Sequence, residues 1–317
     1  MKKKLLAIIA VILVLSLSLC GCGDKKESKA LTMGTGGETG TYYAVGGVLA
    51  QYISSKTDLS VTAVSSSASQ ANIEDMDAGD IDLAFVQSDV MTYAYNGTSL
   101  FDKSITSFSV IAALYMEQVQ IVTLDPNIKT VEDLKGKTVS IGASGSGTYF
   151  NALDVLGVYG MTEADIKPVY QSFGDSVESL QDKKIDAAFI VAGVPTNAVA
   201  SLAATNDVYL VGLDDEHTEK LVSISPYYSA YTVSKDVYNT PEDVNTVAIA
   251  AVLIASNDLD EDTVYKITSN IYDNLDALTA QHAKIGEFST EFAASITSVP
   301  YHAGAAKYFA EKGFNVG

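Results

Sequence analysis

The stretch Gly34-Thr35-Gly36-Gly37-Glu38-Thr39-Gly40-Thr41-Tyr42-Tyr43 decides how the fold is interpreted. A short apolar run precedes it and a helical pattern follows it, so it predicts a glycine-rich turn that joins a strand to a helix. Its last four residues return as Gly147-Thr148-Tyr149-Phe150, after a second run rich in glycine and serine. The chain therefore contains an internal repeat.

A second pair of matching segments follows in the same order. Ile81-Asp82-Leu83-Ala84-Phe85-Val86 corresponds to Ile185-Asp186-Ala187-Ala188-Phe189-Ile190. The repeated aspartates, at predicted strand starts, indicate a structural role such as binding the N–H groups of turns. Apolar runs, among them 108–114 and 120–124, alternate with helical patterns that recur after Pro241. This alternation predicts βαβ units in two α/β lobes with the same internal plan.

The repeat also predicts where a ligand binds. Ligands of open α/β sheets lie beyond the carboxyl ends of the strands, where helix N-termini favour negative charge. The first turn alone is weak evidence, because its G-x-G-x-x-x-G spacing does not fit the dinucleotide fingerprint. A plain turn between a strand and a helix explains it equally well. Two such turns in register favour one cleft shared by both lobes, with Tyr42 nearest to the ligand.

The charge balance limits the partners and the means of binding. The formal net charge is −19, and all 20 basic residues are lysine. So acidic a surface repels nucleic acid, and we expect no nucleic-acid partner. Without arginine there is no guanidinium to grip a carboxylate bidentately. A small anionic solute would be held by backbone N–H groups, hydroxyls, amides, helix N-termini or a lysine.

The N-terminus predicts the compartment. Lys2, Lys3 and Lys4 precede an apolar run, which is typical of a signal peptide. We expect the signal peptide over residues 1–21, lipidation at Cys22 and a polar tether over 22–29, with Cys20 leaving in the leader. A transmembrane anchor is the alternative, but the run is short for the ~20 residues that span a bilayer. The predicted location is the outer face of the cytoplasmic membrane.

Patterns for catalysis and for metal binding are weak. Lys135-Gly136-Lys137-Thr138 imitates the end of a P-loop, but Val131 occupies the place of the required glycine. An enzyme would need a perturbed acid, base or nucleophile at the cleft, and the sequence offers no candidate. His217, His282 and His302 are expected at the surface. We expect no cofactor and no dedicated metal site.

Beyond its own repeat, the chain resembles the TAXI-type receptors of TRAP transporters. The run Phe85-Val86-Gln87-Ser88-Asp89 and the two glycine-rich turns carry the resemblance, whereas Leu134-Lys135-Gly136-Lys137 occurs in many two-lobed receptors. The resemblance implies a type-2 periplasmic binding fold with a crossover hinge and a permease driven by an ion gradient. It also implies a ligand such as glutamate, glutamine or 2-oxoglutarate. The receptor of an ATP-driven importer and a ligand sensor are the alternatives.

Two positions depart from the family pattern. Ala68-Ser69 stands where the family often has Gly-Ser, and Val233–Tyr238 replaces an Ile-Pro-x-Gly-x-Tyr run. The first departure bears on the ligand contacts of the first lobe, and the second on a return segment.

The resemblance also transfers a candidate site. The expected ligand-binding residues are Thr35, Gly36, Thr41, Tyr42, Ser69, Gln87, Ser144, Ser146, Gly147, Thr148 and Gly193. The first lobe is expected to comprise residues 30–116 and 226–317, and the second residues 117–225. The crossings between them are expected at 115–119 and 221–229.

Overall fold

The computed structural model describes residues 28–316, so the predicted signal peptide, Cys22 and most of the tether lie outside it. No helix within that range is long and apolar enough to cross a membrane. The strands are β1 Lys29–Gly34, β2 Leu59–Val64, β3 Leu83–Gln87, β4 Phe108–Thr123, β5 Thr138–Ser140, β6 Lys167–Val169, β7 Ala187–Ala192, β8 Tyr209–Val211, β9 Ser229–Val233 and β10 Val244–Ser256.

The helices surround these strands. They are α1 Thr41–Lys56, α2 Ser69–Ala78, α3 Ser88–Asn96, α4 Gly147–Val158, α5 Phe173–Gln181, α6 Asn197–Ala203, α7 Asp215–Ile224, α8 Glu261–Tyr272, α9 Leu275–Thr279, α10 Thr290–Ala293 and α11 Ala303–Glu311. Short 3₁₀ turns lie at Val131–Leu134, Glu163–Asp165, Lys235–Val237 and Ala283–Glu287.

Strand order displays the internal repeat. The order is β2-β1-β3-β10-β4-β7-β5-β6, with β8 paired to β4 and β9 paired to β10. The trio β2-β1-β3 is parallel, and so is the trio β6-β5-β7 at the other end. An antiparallel long strand adjoins each trio, since β10 lies beside β3 and β4 beside β7. The predicted α/β class and the two equivalent halves are confirmed.

Two long strands connect the halves. Residues 108–118 of β4 pair with β10, and residues 118–123 pair with β7. The expectation of separate strands at 108–114 and 120–124 is therefore wrong, because the backbone continues through the crossing. The helical expectation after Pro241 is wrong at β10 as well. Its apolar run is buried on both faces, and such a run does not show the alternation that identifies a strand.

The buried clusters define the two lobes. One cluster joins side chains of β1, β2 and β3 to residues from Ala251 onward, whereas two others hold residues between 119 and 249. We therefore propose lobe 1 as residues 29–116 and 250–316, and lobe 2 as residues 117–249. On this proposed division the first crossing lies in β4. The return lies in β10, because Tyr228, Val233 and Tyr238 pack with the residues assigned to lobe 2.

Asp82 and Asp186 have the structural role that the repeat indicated. Oδ2 of Asp82 accepts the N–H of Thr32 at 2.8 Å, and Oδ2 of Asp186 accepts the N–H of Thr138 at 2.7 Å. In each lobe the backbone N–H of the same aspartate donates back to that partner's carbonyl oxygen. The partners belong to neighbouring strands, not to turns. Each aspartate thus fixes two strands of a parallel trio.

Burial contradicts the prediction for one histidine. His302 is buried at the start of α11, where its Nε2 lies 3.0 Å from the carbonyl oxygen of Leu259 and its Nδ1 accepts the N–H of Gly304. Burial lowers the pKa of His302. Its role is to cap the helix, and its neutral imidazole pays no cost of burying a charge.

Candidate ligand cavity between the lobes

A cavity of about 110 Å³ lies between the lobes and takes its walls from both. Eight of the predicted site residues line it, namely Gly36, Thr41, Tyr42, Ser69, Gln87, Ser146, Gly147 and Thr148. The other lining residues are Gly37, Gly40, Ser66, Ser67, Ala68, Glu117, Ala143, Gln171, Ser172, Phe173, Val191 and Ala192. Thr41 and Thr148 therefore face one shared space.

Three predicted site residues lie elsewhere. Thr35 is buried beneath the first turn, where its hydroxyl donates to the carbonyl oxygen of Val64 at 2.6 Å. Ser144 is exposed on the second turn. The carbonyl oxygen of Gly193 accepts the hydroxyl of Thr41 at 3.1 Å, which is a contact between the lobes.

Two helices begin at the cavity, one from each lobe. Gly40 precedes α1 without a side-chain cap, and Ser146 caps α4 by accepting the N–H of Tyr149. Among the described residues, the leading N–H groups of Thr41 and Thr148 have no acceptor. Free N–H groups and the helix dipole together attract a negatively charged or accepting group. The cavity therefore offers an acceptor-binding end built by both halves of the repeat.

A third helix N-terminus is already occupied. The carbonyl oxygen of Gly145, in lobe 2, accepts the N–H groups of Gln70 and Ala71 at 3.0 and 3.2 Å, at the start of α2. Gly145 has a φ of 80°, which favours glycine at this turn. This contact joins the lobes directly.

Further contacts show that the lobes are closed. The amide of Asn151, on α4, donates to Oδ2 of Asp89, on α3, at 3.0 Å. The ring of Phe150 from lobe 2 lies 6.2 Å from the ring of Tyr93 and 6.0 Å from that of Phe101 in lobe 1. Opening the cleft would expose this aromatic cluster to water.

Glu117 is the functional candidate that sequence reasoning missed. It lies on β4 at the crossing, is 2% exposed, and its Oε2 accepts the hydroxyl of Tyr42 at 2.7 Å. Burial raises its pKa to about 8. The expectation that the cleft holds no perturbed acid is therefore wrong. An acidic residue inside a mainly apolar strand is the signal that could have identified it, because carboxylates are rarely buried.

Gln87 faces the N-terminus of α4 across the cleft. Its Oε1 is buried and has no hydrogen-bond partner among the described residues. A buried acceptor left unpaired costs about 1–3 kcal/mol, so a ligand that donates to it recovers this cost. Gly147 permits the approach, because a methyl group there would overlap Oε1 of Gln87 and lie 2.9 Å from the Oγ of Ser69.

Charge around the cavity is negative. Glu117 is the acidic residue among its described lining residues. A more open hollow adjoins the cavity and carries Glu38, Asp175 and Glu178 at this mouth. The two spaces share Gly37, Ser66, Ser67 and Ser172. No lysine of residues 28–316 lines either space. The lysine that the sequence left open as a holder of an anion is therefore not at the cavity.

The chain is similar in fold to solved structures that include two proteins named for binding or transport of a solute. The chain matches the alkanesulfonate-binding protein SsuA of Xanthomonas axonopodis pv. citri, bound to MOPS, at 14% identity and a TM-score of 0.52, over 90% of this chain and 91% of that one. It also matches a binding protein component of an ABC phosphonate transporter of Pseudomonas aeruginosa, at 14% identity and a TM-score of 0.50, over 83% and 80%. These likenesses confirm the predicted periplasmic-binding-protein fold.

A family model extends over almost the whole described chain. It is that of the NMT1-like family, and it matches residues 33–313. This range contains both glycine-rich turns, both long strands and every residue that lines the cavity. The chain belongs to the NMT1-like family.

Proposed function

We propose that this protein is the solute-binding subunit of a membrane importer and closes its two lobes around a small molecule. The observation that carries the proposal is a single cavity to which each lobe contributes a helix N-terminus, at Thr41 and at Gly147. A ligand that touches both sides stabilises the closed form over the open one, because neither lobe alone offers all of the contacts.

The kind of importer has two candidates. The named neighbours include an alkanesulfonate-binding protein and a component of an ABC phosphonate transporter, and these favour an ATP-driven importer, which we place first. The run Phe85–Asp89 resembles TAXI receptors and favours a TRAP permease driven by an ion gradient. A ligand sensor would use the same cavity, but deletion of its gene would leave uptake of the ligand unchanged.

Ligand binding tests the proposal first. The mature chain carrying Cys22→Ser, which keeps every described residue, would be screened by thermal melting against amino acids, carboxylates, sulfonates and phosphonates. A ligand of the native state, at concentration L, stabilises it by RT ln(1 + L/Kd), so the melting temperature rises with the logarithm of its concentration over Kd. We expect such a ligand also to shrink the radius of gyration measured by X-ray scattering. A binder that leaves the dimensions unchanged would count against closure.

Transport assays separate the two importers. Cells that express the chain with its permease would be loaded with the radiolabelled ligand found in the screen. Collapse of the ATP pool at a constant ion gradient stops uptake through an ABC importer, whereas collapse of the ion gradient at constant ATP stops uptake through a TRAP permease.

We also propose that the protein is anchored to the outer face of the cytoplasmic membrane through a lipid attached to Cys22. Its support is the basic and apolar leader that precedes Cys22. Radiolabelled palmitate should be incorporated into the intact chain and into the Cys20→Ala variant, but not into Cys22→Ala. Labelling of Cys22→Ala would refute the assignment.

A further inference from the structure

We propose that Glu117 and Gln87 form the donor-seeking end of the cavity and select ligands that present a cationic nitrogen with several N–H groups. The inference rests on the proposed solute-binding function and assigns the chemical class of the solute. Among the ligands that the resemblance implies, it favours the amino acids glutamate and glutamine over 2-oxoglutarate, which carries no amine.

The first support is a pair of buried side chains in the cavity whose oxygen atoms can accept further hydrogen bonds. Oε1 of Gln87 is buried and unpartnered among the described residues, and Glu117 is buried with one oxygen bound by the hydroxyl of Tyr42. Both side chains line the same cavity. An ammonium or amidinium group supplies two or more donors from one small volume, so one such group can serve both.

The second support is the distribution of charge. The groups that face Glu117 are the hydroxyl of Tyr42, the side-chain amide of Gln87, which donates to it, the carboxylate of Asp89, the phenol of Tyr115 and the ammonium of Lys284. Lys284 does not line the cavity, because its Nζ is taken by the carbonyl oxygen of Val194 and by Glu287. With acids also at the mouth, a dianion would enter a negative field without a counter-charge, whereas a cationic nitrogen would be attracted.

The opposite end of the cavity favours an acceptor. The free N–H groups at Thr41 and Thr148 open α1 and α4, which are both long enough to present a helix dipole. A carboxylate, sulfonate or phosphonate would bind there. The two ends together describe a small molecule with a cationic nitrogen at one side and an acidic group at the other.

Matched ligand pairs test this class. The mature Cys22→Ser chain would be titrated calorimetrically with α-amino acids, including glutamate and alanine, and with the 2-hydroxy acids that replace each amine by a hydroxyl. We expect the amine of the binding pair to improve Kd at least tenfold. Equal or tighter binding of hydroxy acids overturns the ligand class and leaves the solute-binding function standing. Binding of no member of the panel also overturns the ligand class, whereas the solute-binding function fails only if the wider thermal-melting screen finds no ligand.

Substitution assigns the selection to Glu117. Glu117→Gln keeps the shape and removes the carboxylate, so we expect it to weaken the amine ligand at least tenfold while the unliganded melting temperature is retained. Glu219→Gln, the same change at an exposed position of α7 that lines neither the cavity nor its mouth, is the control and should leave Kd unchanged. An amine Kd within twofold of wild type in a folded Glu117→Gln protein refutes the role.

A pH series needs no variant and keeps the proposal testable if Glu117→Gln does not fold. The amine complex contains an ionised Glu117, so its Kd should not weaken between pH 6 and 8. A ligand that instead accepts a hydrogen bond from Glu117 must bind the protonated carboxyl. Its Kd would then weaken by up to about tenfold per pH unit over the same range, and this result would overturn the proposal.

Discussion

At Gly147 the backbone of lobe 2 approaches the side chains of lobe 1 closely enough to exclude a methyl group. The neighbours are the buried Oε1 of Gln87 and the hydroxyl of Ser69, which accepts the backbone N–H of Gln87 within lobe 1. A side chain at this position would act as a wedge between the lobes without disturbing the core of either. Closure therefore depends on a glycine whose replacement should leave the folding of each lobe intact.

We predict that Gly147→Ala binds the ligand found in the screen at least tenfold more weakly than wild type. With ligand present, its radius of gyration from X-ray scattering should stay larger than that of wild type. Its unliganded melting temperature should not fall, because alanine costs nothing in a helical conformation and restricts the unfolded chain. Gly157→Ala is the matched control, since Gly157 lies on the same helix with open space around it. Equal affinities of the two variants would contradict the wedge.

The side chains at the site were only partly accessible to prediction. The repeated turn predicts three site residues correctly, Thr41, Ser146 and Thr148. It can do so because glycine and hydroxyl residues in sequence specify a turn and the start of a helix without help from distant parts of the chain. Glu117 lies outside both repeated turns, so the repeat does not point to it. It reaches the cavity only because β4 passes from one lobe to the other at this residue. Ser144 looked equivalent to Ser146 in the sequence, yet the turn points it to solvent.

Among the elements, the parallel trios depend on their repeated aspartates. We predict that Asp82→Ala lowers the free energy of unfolding by about 1.5–3 kcal/mol, the value of a hydrogen bond to a charged group. Asp186→Ala should cost a similar amount, because it makes the same bond in lobe 2. Urea unfolding measures both. Asp80→Ala, at an exposed neighbouring position, is the control, and a loss there as large as at Asp82 would refute the assignment.

The elements most readily predicted were those with local signals. The start of α1 at Thr41 and of α4 at Gly147 follows from the glycine-rich turns. By contrast, the sequence predicts helix after Pro241, where β10 lies, because Val244–Ser256 is apolar on both faces and lacks the alternation that identifies a strand. Only its position between β3 and β4, which depends on distant parts of the chain, explains that pattern.

At the scale of the molecule, closure buries two acids. Burial raises the pKa of Asp89 to about 7 and that of Glu117 to about 8 in the closed form. Opening returns both carboxyls toward their ordinary values near 4. Without ligand, the closed form therefore binds protons more tightly than the open form. This preference for closure is complete below about pH 4 and is lost as the pH rises through 7 to 8.

We predict a smaller radius of gyration for the unliganded protein at pH 5 than at pH 8.5. Asp89→Asn removes one of the two titrating groups and keeps an acceptor for Asn151, so it should reduce the change. X-ray scattering at matched salt measures the effect. A protein that becomes more compact as the pH rises would show that the sign of this account is wrong.

The division of the chain into lobes was the least predictable feature at this scale. The first crossing, near Tyr115, follows from the end of the first half of the repeat. The return does not, because residues 226–249 add β9 and half of β10 to lobe 2 without any counterpart in the repeat.

Closure of the lobes on a ligand is the central claim, and a distance between the lobes measures it directly. The Cys22→Ser chain has no other cysteine after the leader, so spin labels can be placed at Gln51 on α1 and at Glu178 on α5, both exposed. Pulsed electron resonance should give a broad, longer distance distribution without ligand at pH 8 and a narrow, shorter one with it. Identical distributions with and without saturating ligand would contradict the account.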